Sequence, residues 1–258
     1  MEKRERKLHE ELRRDLEYLR LNSILASYEE VLDQAVTEGW SFLGTLARLI
    51  AGEATARSER SLQRRIKQAR LPKPKTLVDY DFDFPKRIAK QKILRVFDCD
   101  FVEKYGNVVL VGNQGVGKTH LLTALGYVAC QKGISVRFTR AIDMINELTT
   151  AQVGGTLGKA LRPYTNPSLL LLDELGYLPI DKRGADLLFQ VVATRYEAGS
   201  IVVTTNRAFK DWGAILDVDN TLATALIDRL MHHGEAIVIK GDSYRMKDRD
   251  AEDLGDTD

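Results

Sequence analysis

The feature that most constrains this chain is an eight-residue segment, GNQGVGKT, at positions 112–119. It completes the pattern GxxxxGK[ST], in which glycines let the backbone wrap a phosphate with its N–H groups pointing inward. An apolar run at 107–112 precedes the segment, and a helical pattern at 118–131 follows it. The segment therefore lies in the strand–loop–helix setting that phosphate binding requires, because the helix N-terminus adds partial positive charge.

The backbone and two side chains of this loop are expected to hold a nucleoside triphosphate and its metal ion. Lys118 would reach the β- and γ-phosphates, and the Thr119 hydroxyl would hold Mg²⁺. The expected cofactors are therefore ATP and Mg²⁺. The predicted nucleotide-binding residues are Gly112, Asn113, Gln114, Gly115, Val116, Gly117, Lys118 and Thr119.

A second motif follows the apolar run 169–172, where the chain reads Asp173-Glu174. A strand that ends in carboxylates delivers negative charge to the sheet edge where a metal ion would bind. Asp173 is expected to bind Mg²⁺, through water, and Glu174 to polarise an attacking water. A simple phosphoryl-transferring kinase needs no such base, because its acceptor is the substrate. The pair therefore favours a Mg²⁺-dependent ATP hydrolase in which Lys118 and Glu174 are catalytic.

Three further polar residues are candidates for the same site. Asn206 follows the apolar run 201–205 and can hold the lytic water, with a turn-forming asparagine as the alternative. Arg229 is the type of residue that neutralises transition-state charge, supplied in cis or by a neighbour, with an ordinary helix-surface ion pair as the alternative. Arg245 is left open between a nucleotide contact and a structural ion pair.

From residue 86 onward, strand and helix patterns alternate along the chain. Short apolar runs between helices indicate the central strands of a parallel sheet that is covered on both faces. We therefore predict an α/β fold with a five-stranded parallel sheet. The predicted strands are 108–111, 134–138, 169–172, 201–205 and 236–239; the predicted helices are 86–104, 118–131, a glycine-broken stretch at 141–166, 184–196 and 221–231.

The first seventy residues have the apolar spacing of amphipathic helices. Four such stripes begin at Leu8, Ile24, Phe42 and Leu62, which predicts four helices. The stripes indicate either the core of a small helical bundle or a docking face.

Prolines at positions 72 and 74 end this helical region, and an extended linker follows. We place the domain boundary near residues 71–78. The predicted organisation is an N-terminal helical, basic interaction domain at 1–71, a linker at 72–85, an ATPase domain at 86–247 and an acidic tail at 248–258.

The formal net charge is +1, but the charge is unevenly distributed. Residues 57–75 contain eight lysines and arginines against Glu59 alone. Such a patch in a nearly neutral protein suggests a polyanion partner, with a solvated helix and linker as the alternative. Because no motif for reading bases is present, binding to nucleic acid would be dominated by phosphate contacts and sensitive to salt.

Composition excludes several classes of protein. No apolar run approaches a membrane span and the N-terminus lacks a secretory pattern, so we expect a cytoplasmic protein without membrane contact. Cys99 and Cys130 lack metal-site spacing and are expected to be reduced core residues. His232 and His233 are adjacent, and on a helix they would point about 100° apart, which predicts poor metal chelation.

The order of these motifs, GNQGVGKT, LLLLDELGYLP, IVVTTN, ALIDRL and GDSYR, resembles an AAA+ ATPase of the initiator and helicase-loader branch. Segments 173–206 and 212–247 are similar to the IstB-like family, ATP-binding helpers of insertion-sequence transposition. The linker YDFDFP and the basic helical N-terminal region also fit. The resemblance covers nearly the whole chain, most specifically residues 76–249.

The resemblance implies subunits that assemble with ATP on duplex DNA and assist an IstA-like transposase, which in turn stimulates hydrolysis. Matching by motif places Asn206 at sensor 1 and Arg229 at the box VII arginine, which acts on a neighbour's ATP; Arg245 matches a further nucleotide-proximal arginine. The chain departs from the wider AAA+ pattern after strand 236–239, where too few residues follow for a C-terminal helical lid. The resemblance adds as candidate DNA contacts Lys159, Arg162, Lys182 and Arg183.

Three other functions compete with a transposition helper. A replicative helicase loader shares the ATPase core but has a different partner. A small-molecule P-loop kinase would need an acceptor site, and Glu174 with Asn206 argues against it. A nucleotide-gated scaffold would bind ATP and barely hydrolyse it.

Overall fold

The computed structural model describes residues 2–216 and 220–244. The chain divides into two compact units between Arg64 and Arg65, inside a long helix. The finer division into four segments that the sequence suggests stays a prediction. No helix within residues 2–216 and 220–244 is long and apolar enough to cross a membrane.

The N-terminal unit is built from helices α1 (Glu2–Tyr18) and α2 (Asn22–Glu38) and the first part of α3 (Phe42–Ala69). The prediction of four helices is wrong, because α3 continues through the stripe that begins at Leu62. Gly52, which lies between the third and the fourth predicted stripes, is tolerated inside the helix and does not end it.

A small apolar cluster of Leu16, Ile24 and Tyr28 forms the core of this unit. The buried Glu53 carboxylate of α3 accepts the backbone N–H of Ser23 at 2.7 Å and so caps the N-terminus of α2. Three members of the predicted apolar stripes, Leu16, Ile24 and Tyr28, form this core, so the interpretation as a bundle core holds for them. The exposed members leave a docking face open as the second interpretation; they are Leu8, Leu12, Leu19, Leu32, Phe42, Leu46 and Ile50.

The second unit contains the predicted five-stranded sheet. All strand pairs are parallel, and the spatial order is β2-β3-β4-β1-β5. The strands are β1 (Asn107–Gly112), β2 (Val136–Arg140), β3 (Leu169–Leu175), β4 (Ser200–Thr205) and β5 (Gly234–Ile239).

Helices connect the strands, and the prediction of an α/β fold is confirmed. Helix α6 packs against β1, β2, β3 and β4, whereas α9 packs against both α7 and α11. The helices are α4 (Lys90–Phe97), α5 (Asp100–Glu103), α6 (Lys118–Gln131), α7 (Ala141–Val153), α8 (Leu157–Thr165), α9 (Lys182–Arg195), α10 (Trp212–Ile215), which a 3₁₀ turn (Phe209–Asp211) precedes, and α11 (Asn220–His232).

One predicted helix is interrupted. The segment 86–104 forms α4 and α5, with Cys99 between them in the left-handed region at φ 62°. A single non-glycine residue in that conformation ends a helix but leaves no mark in the apolar pattern. Cys99 and Cys130 are free and buried, as expected.

The sheet topology places the functional motifs together. Parallel strands bring their carboxyl ends to one edge, so the loop after β1, the end of β3 and the residue after β4 meet there. The register between β3 and β4 shifts between Leu172 and Leu175. This irregularity falls on Asp173 and Glu174, and irregularities of this kind commonly lie next to functional sites, where they re-aim side chains.

A buried arginine ties α9 to the loops at the opposite edge of the sheet. The Arg195 side chain is 1% exposed, and its guanidinium donates to five backbone carbonyls. Burial lowers the pKa of Arg195 to about 10, which still leaves the group charged at neutral pH. The acceptors are the carbonyl oxygens of Tyr164, Thr165, Pro167, Ser168 and Ser200.

We predict that Arg195→Met lowers the free energy of unfolding by at least about 3 kcal/mol, because several buried carbonyls lose a charged donor at once. Urea denaturation measures the change. The matched control is Arg183→Met in the first turn of the same helix, an exposed position where we expect a change within about 0.5 kcal/mol. Equal losses in the two variants would contradict the structural role of Arg195.

Candidate functional site

The predicted phosphate loop has the required local geometry. It leaves β1 at Gly112 and enters α6 at Lys118. Gly117 has φ +89°, and a Cβ there would lie 2.5 Å from the Tyr80 ring. Glycine is therefore required at this position both by the backbone conformation and by the close approach of a side chain.

The two functional side chains of the loop make short contacts. The Lys118 ammonium lies 2.7 Å from the carbonyl oxygens of Gly112 and Asn113, so its charge is held over the loop. The Thr119 hydroxyl donates to Asp173, at 2.9 Å from Oδ2 and 3.1 Å from Oδ1. The structure thus brings together the predicted metal-binding pair, whose residues are 54 positions apart.

The Asp173 carboxylate is 2% exposed and is held from the other side by Thr204 of β4. The Thr204 hydroxyl donates to Asp173 Oδ1 at 2.5 Å and accepts the backbone N–H of Glu174 at 2.9 Å. Glu174 is exposed and has φ +60°. Thr204 therefore fixes the aspartate side chain and the backbone of the glutamate together.

This arrangement suits a hard divalent cation. A carboxylate and a hydroxyl within hydrogen-bonding distance are the oxygen ligands that Mg²⁺ prefers, together with water and phosphate oxygens. Thr119 and Asp173 could hold the ion between them, and the ion would neutralise charge on the phosphates.

A cavity of about 530 Å³ opens over the phosphate loop. Glu174 and Asn206 line its wall, as the sequence predicts. The Asn206 Oδ1 atom is buried and has no hydrogen-bond partner among the described residues. An unpaired acceptor in a cavity wall that also carries a carboxylate can bind a water molecule there.

The predicted linker, residues 72–85, forms much of the remaining wall of the cavity. The buried Tyr80 hydroxyl donates to the carbonyl of Val116 at 3.0 Å. Burial raises the pKa of Tyr80 to about 12, so the donor stays protonated. Phe84 contacts Tyr244 edge to face with ring centroids 4.9 Å apart, and Tyr244 N–H donates to the carbonyl of Gly115. These aromatic walls could enclose a base, and the aromatic spacing of YDFDFP was the available signal.

Several cations of the basic segment, residues 57–75, contact other groups of the chain or line the cavity. Lys73 and Lys75 line the same cavity, and the Arg65 Nε donates to the carbonyl of Cys130 at 2.9 Å. Arg60 forms an ion pair with the buried Glu53 at 2.8 Å. The exposed basic residues of this segment on α3 are Arg57, Arg60, Arg64 and Lys67.

Arg229 lies away from the chain's own phosphate loop. The side-chain amide of Asn107 donates to the Arg229 carbonyl oxygen, and Asn107 is the first residue of β1. The phosphate loop begins at the other end of that strand, at Gly112. A strand of this length spans roughly 17 Å, farther than an arginine side chain reaches. The Arg229 guanidinium donates to the carbonyl of Ala225 and lies 4.6 Å from the ring centroid of Phe189.

The remaining predicted residues fall in two groups. Lys159 and Arg162 are exposed on α8, and Lys182 and Arg183 are exposed at the start of α9. Arg245 and the acidic tail lie outside the described residues, so their predicted roles stay predictions.

We predict that Gly117→Ala weakens ATP binding at least about tenfold, a loss of about 1.4 kcal/mol, because the new methyl group displaces Tyr80 and the loop. Gly133→Ala is the matched control: Gly133 follows α6 with φ +88°, and a Cβ there meets no atom within 4 Å. Titration with ATP measures both affinities. Equal affinities in the two variants would contradict the requirement for glycine at position 117.

A family model described as IstB-like ATP binding protein matches residues 14–252. The ATP-binding protein of insertion sequence IS232 from Bacillus thuringiensis subsp. berliner is 38% identical over 240 residues, covering 93% of this chain and 96% of that protein.

The fold is also similar to that of several solved structures. The crystal structure of the DnaC helicase loader is 25% identical with a TM-score of 0.51, covering 62% of this chain and 96% of that one. Replication initiator DnaA bound to AMPPCP and single-stranded DNA is 25% identical with a TM-score of 0.56, and the match covers 71% of this chain and 56% of that one. The chain therefore belongs to the IstB-like family of ATP-binding proteins, with an AAA+ core akin to DnaA and DnaC.

Proposed function

We propose that this protein is a Mg²⁺-dependent ATPase that assembles on duplex DNA and assists the transposase of an insertion sequence. The observation that carries the ATPase assignment is the buried network in which Asp173 accepts hydrogen bonds from Thr119 and Thr204. It holds an acidic group, a hydroxyl and the backbone of Glu174 in fixed positions beside the phosphate loop.

In the proposed ATP complex, Lys118 leaves the two loop carbonyls and contacts the β- and γ-phosphates. The loop N–H groups and the N-terminus of α6 bind the remaining phosphate charge. Thr119 and Asp173 hold Mg²⁺, which neutralises charge on the phosphate oxygens when it is bound. The linker and Tyr244 provide the wall for the base.

Hydrolysis is assigned to Glu174 and Asn206. Glu174 is exposed to the cavity and anchored through its backbone N–H, so its carboxylate can accept a proton from an attacking water. The unpaired Asn206 oxygen orients that water. This pair favours hydrolysis over transfer to a small-molecule acceptor.

The catalytic arginine is proposed to come from a neighbouring copy. Because Arg229 lies at the edge of the sheet opposite its own phosphate loop, it can complete only the site of a second subunit. There it would neutralise charge that develops in the transition state. Its present contacts with Ala225 and Phe189 keep the side chain ordered until the neighbour arrives.

DNA binding is assigned to exposed basic side chains rather than to a base-reading element. Arg57, Arg60, Arg64 and Lys67 recur at helical spacing along one face of α3. They would contact phosphates, so binding should weaken steeply with salt. Lys159, Arg162, Lys182 and Arg183 form a second set of candidate contacts.

The insertion-sequence relative at 38% identity favours a transposase as the partner. The likeness to the DnaC helicase loader supports a second candidate, a loader of a replicative helicase. The two differ in what a pull-down returns, an integrase-like protein or a hexameric helicase.

We predict that Glu174→Gln retains ATP and duplex DNA but loses turnover by about 100-fold or more, because an amide cannot accept the proton of the attacking water. Sedimentation with ATP and duplex DNA measures assembly, and phosphate release measures turnover. Glu103→Gln on α5, an exposed change remote from the cavity, is the control and should behave as the wild type. A wild-type protein that stays monomeric with ATP and DNA would exclude the proposed assembly.

We predict that mixing Arg229→Ala with Lys118→Ala protein restores turnover that neither variant has alone. An interface between the two places an intact phosphate loop opposite an intact Arg229. Phosphate release across a series of mixing ratios should peak near equal amounts. Absence of recovery at every ratio would assign Arg229 a structural role.

A further inference from the structure

Two histidines and a glutamate converge at the edge of the sheet where β5 begins. His232 is the last residue of α11, so His233 lies beyond the helix and does not follow its rotation. The two ring centroids are 4.2 Å apart. The expectation that these histidines diverge is therefore wrong, because it assumed a helix that continues through both.

Glu197, in the turn after α9, completes the group. Its Oε1 lies 3.2 Å from His233 Nε2. One ligand atom from each of Glu197, His232 and His233 lies within 4.8 Å of the other two. All three side chains are exposed, so small rotations can shorten these distances to those of a metal site.

Tyr196 orients the histidine rings. Its hydroxyl lies 2.6 Å from His232 Nδ1, and its ring stacks with both imidazoles at an interplanar angle of 25°. A hydrogen bond to one imidazole nitrogen fixes the ring orientation and leaves the other nitrogen as a ligand, the arrangement commonly found around metal-bound histidine.

We propose that Glu197, His232 and His233 bind a transition-metal ion of the zinc class. Two imidazoles and one carboxylate match the nitrogen and oxygen ligands of Zn²⁺, with water in the fourth position. Mg²⁺ prefers oxygen ligands, so this site and the phosphate-loop site select different ions. The ion would join the end of α11, the helix that carries Arg229, to the turn after α9.

The test uses the full chain, stripped of metal and then dialysed against Zn²⁺ with Mg²⁺ in excess to occupy the phosphate-loop site. We expect one Zn²⁺ per chain in the wild type. The double variant His232→Ala/His233→Ala should lose that ion, and Glu197→Gln should weaken its binding about tenfold or more. Unchanged stoichiometry in the double variant, or no bound zinc in the wild type, would overturn the proposal.

The chain offers a matched control. His9 contacts Tyr28 and lies 3.9 Å from Glu29, so it repeats the Tyr-Glu-His arrangement with a single histidine. His9→Ala should retain the full zinc content. If it instead loses the ion while the double variant keeps it, the site is misassigned.

Two further measurements test whether the double variant is folded and whether the cysteine thiols bind the metal. Zn²⁺ should raise the melting temperature of the wild type but not of the double variant, whose circular dichroism should match the wild type. Co²⁺ in place of Zn²⁺ should show no thiolate charge-transfer band, because Cys99 and Cys130 are buried elsewhere. Such a band would assign the metal to the cysteines and reject the site.

Discussion

The functional site depends on the hydrogen bonds that two threonine hydroxyls donate to the buried carboxylate of Asp173. A carboxylate that is 2% exposed would be strongly destabilising without partners. Thr119 at the start of α6 and Thr204 in β4 supply them, and so join three elements at one point. The same bonds hold the site in order before any cation binds, so little rearrangement is needed when one does.

The topology separates two halves of the proposed catalytic machinery. Parallel strands collect the phosphate loop, Asp173 and Asn206 at the carboxyl edge, whereas Arg229 lies in the last turn of α11 at the amino edge. No change of side-chain rotamer closes a gap of a full strand length. If Arg229 contributes to hydrolysis, a second copy must bring it, and turnover is then coupled to assembly.

The residues that sequence could predict are those whose chemistry is local. The glycine-rich loop, the Asp173-Glu174 pair and the strands are encoded in short stretches, and the structure places them as expected. Thr204 and Tyr80 were missed because their roles depend on strand register and on a linker that returns to the loop. Likewise, the histidine pair was misjudged because the exact helix end decides where His233 points.

The basic segment shows why a count of charged residues overstates the charge that is available to a polyanion. Lys73 and Lys75 line the nucleotide cavity, and Arg65 donates to the carbonyl of Cys130. The Arg65 guanidinium therefore already has a partner, and a triphosphate bound in the cavity would neutralise part of the charge of the two lysines. The exposed basic charge on α3 is therefore a smaller set, Arg57, Arg60, Arg64 and Lys67, which is the set proposed to contact DNA.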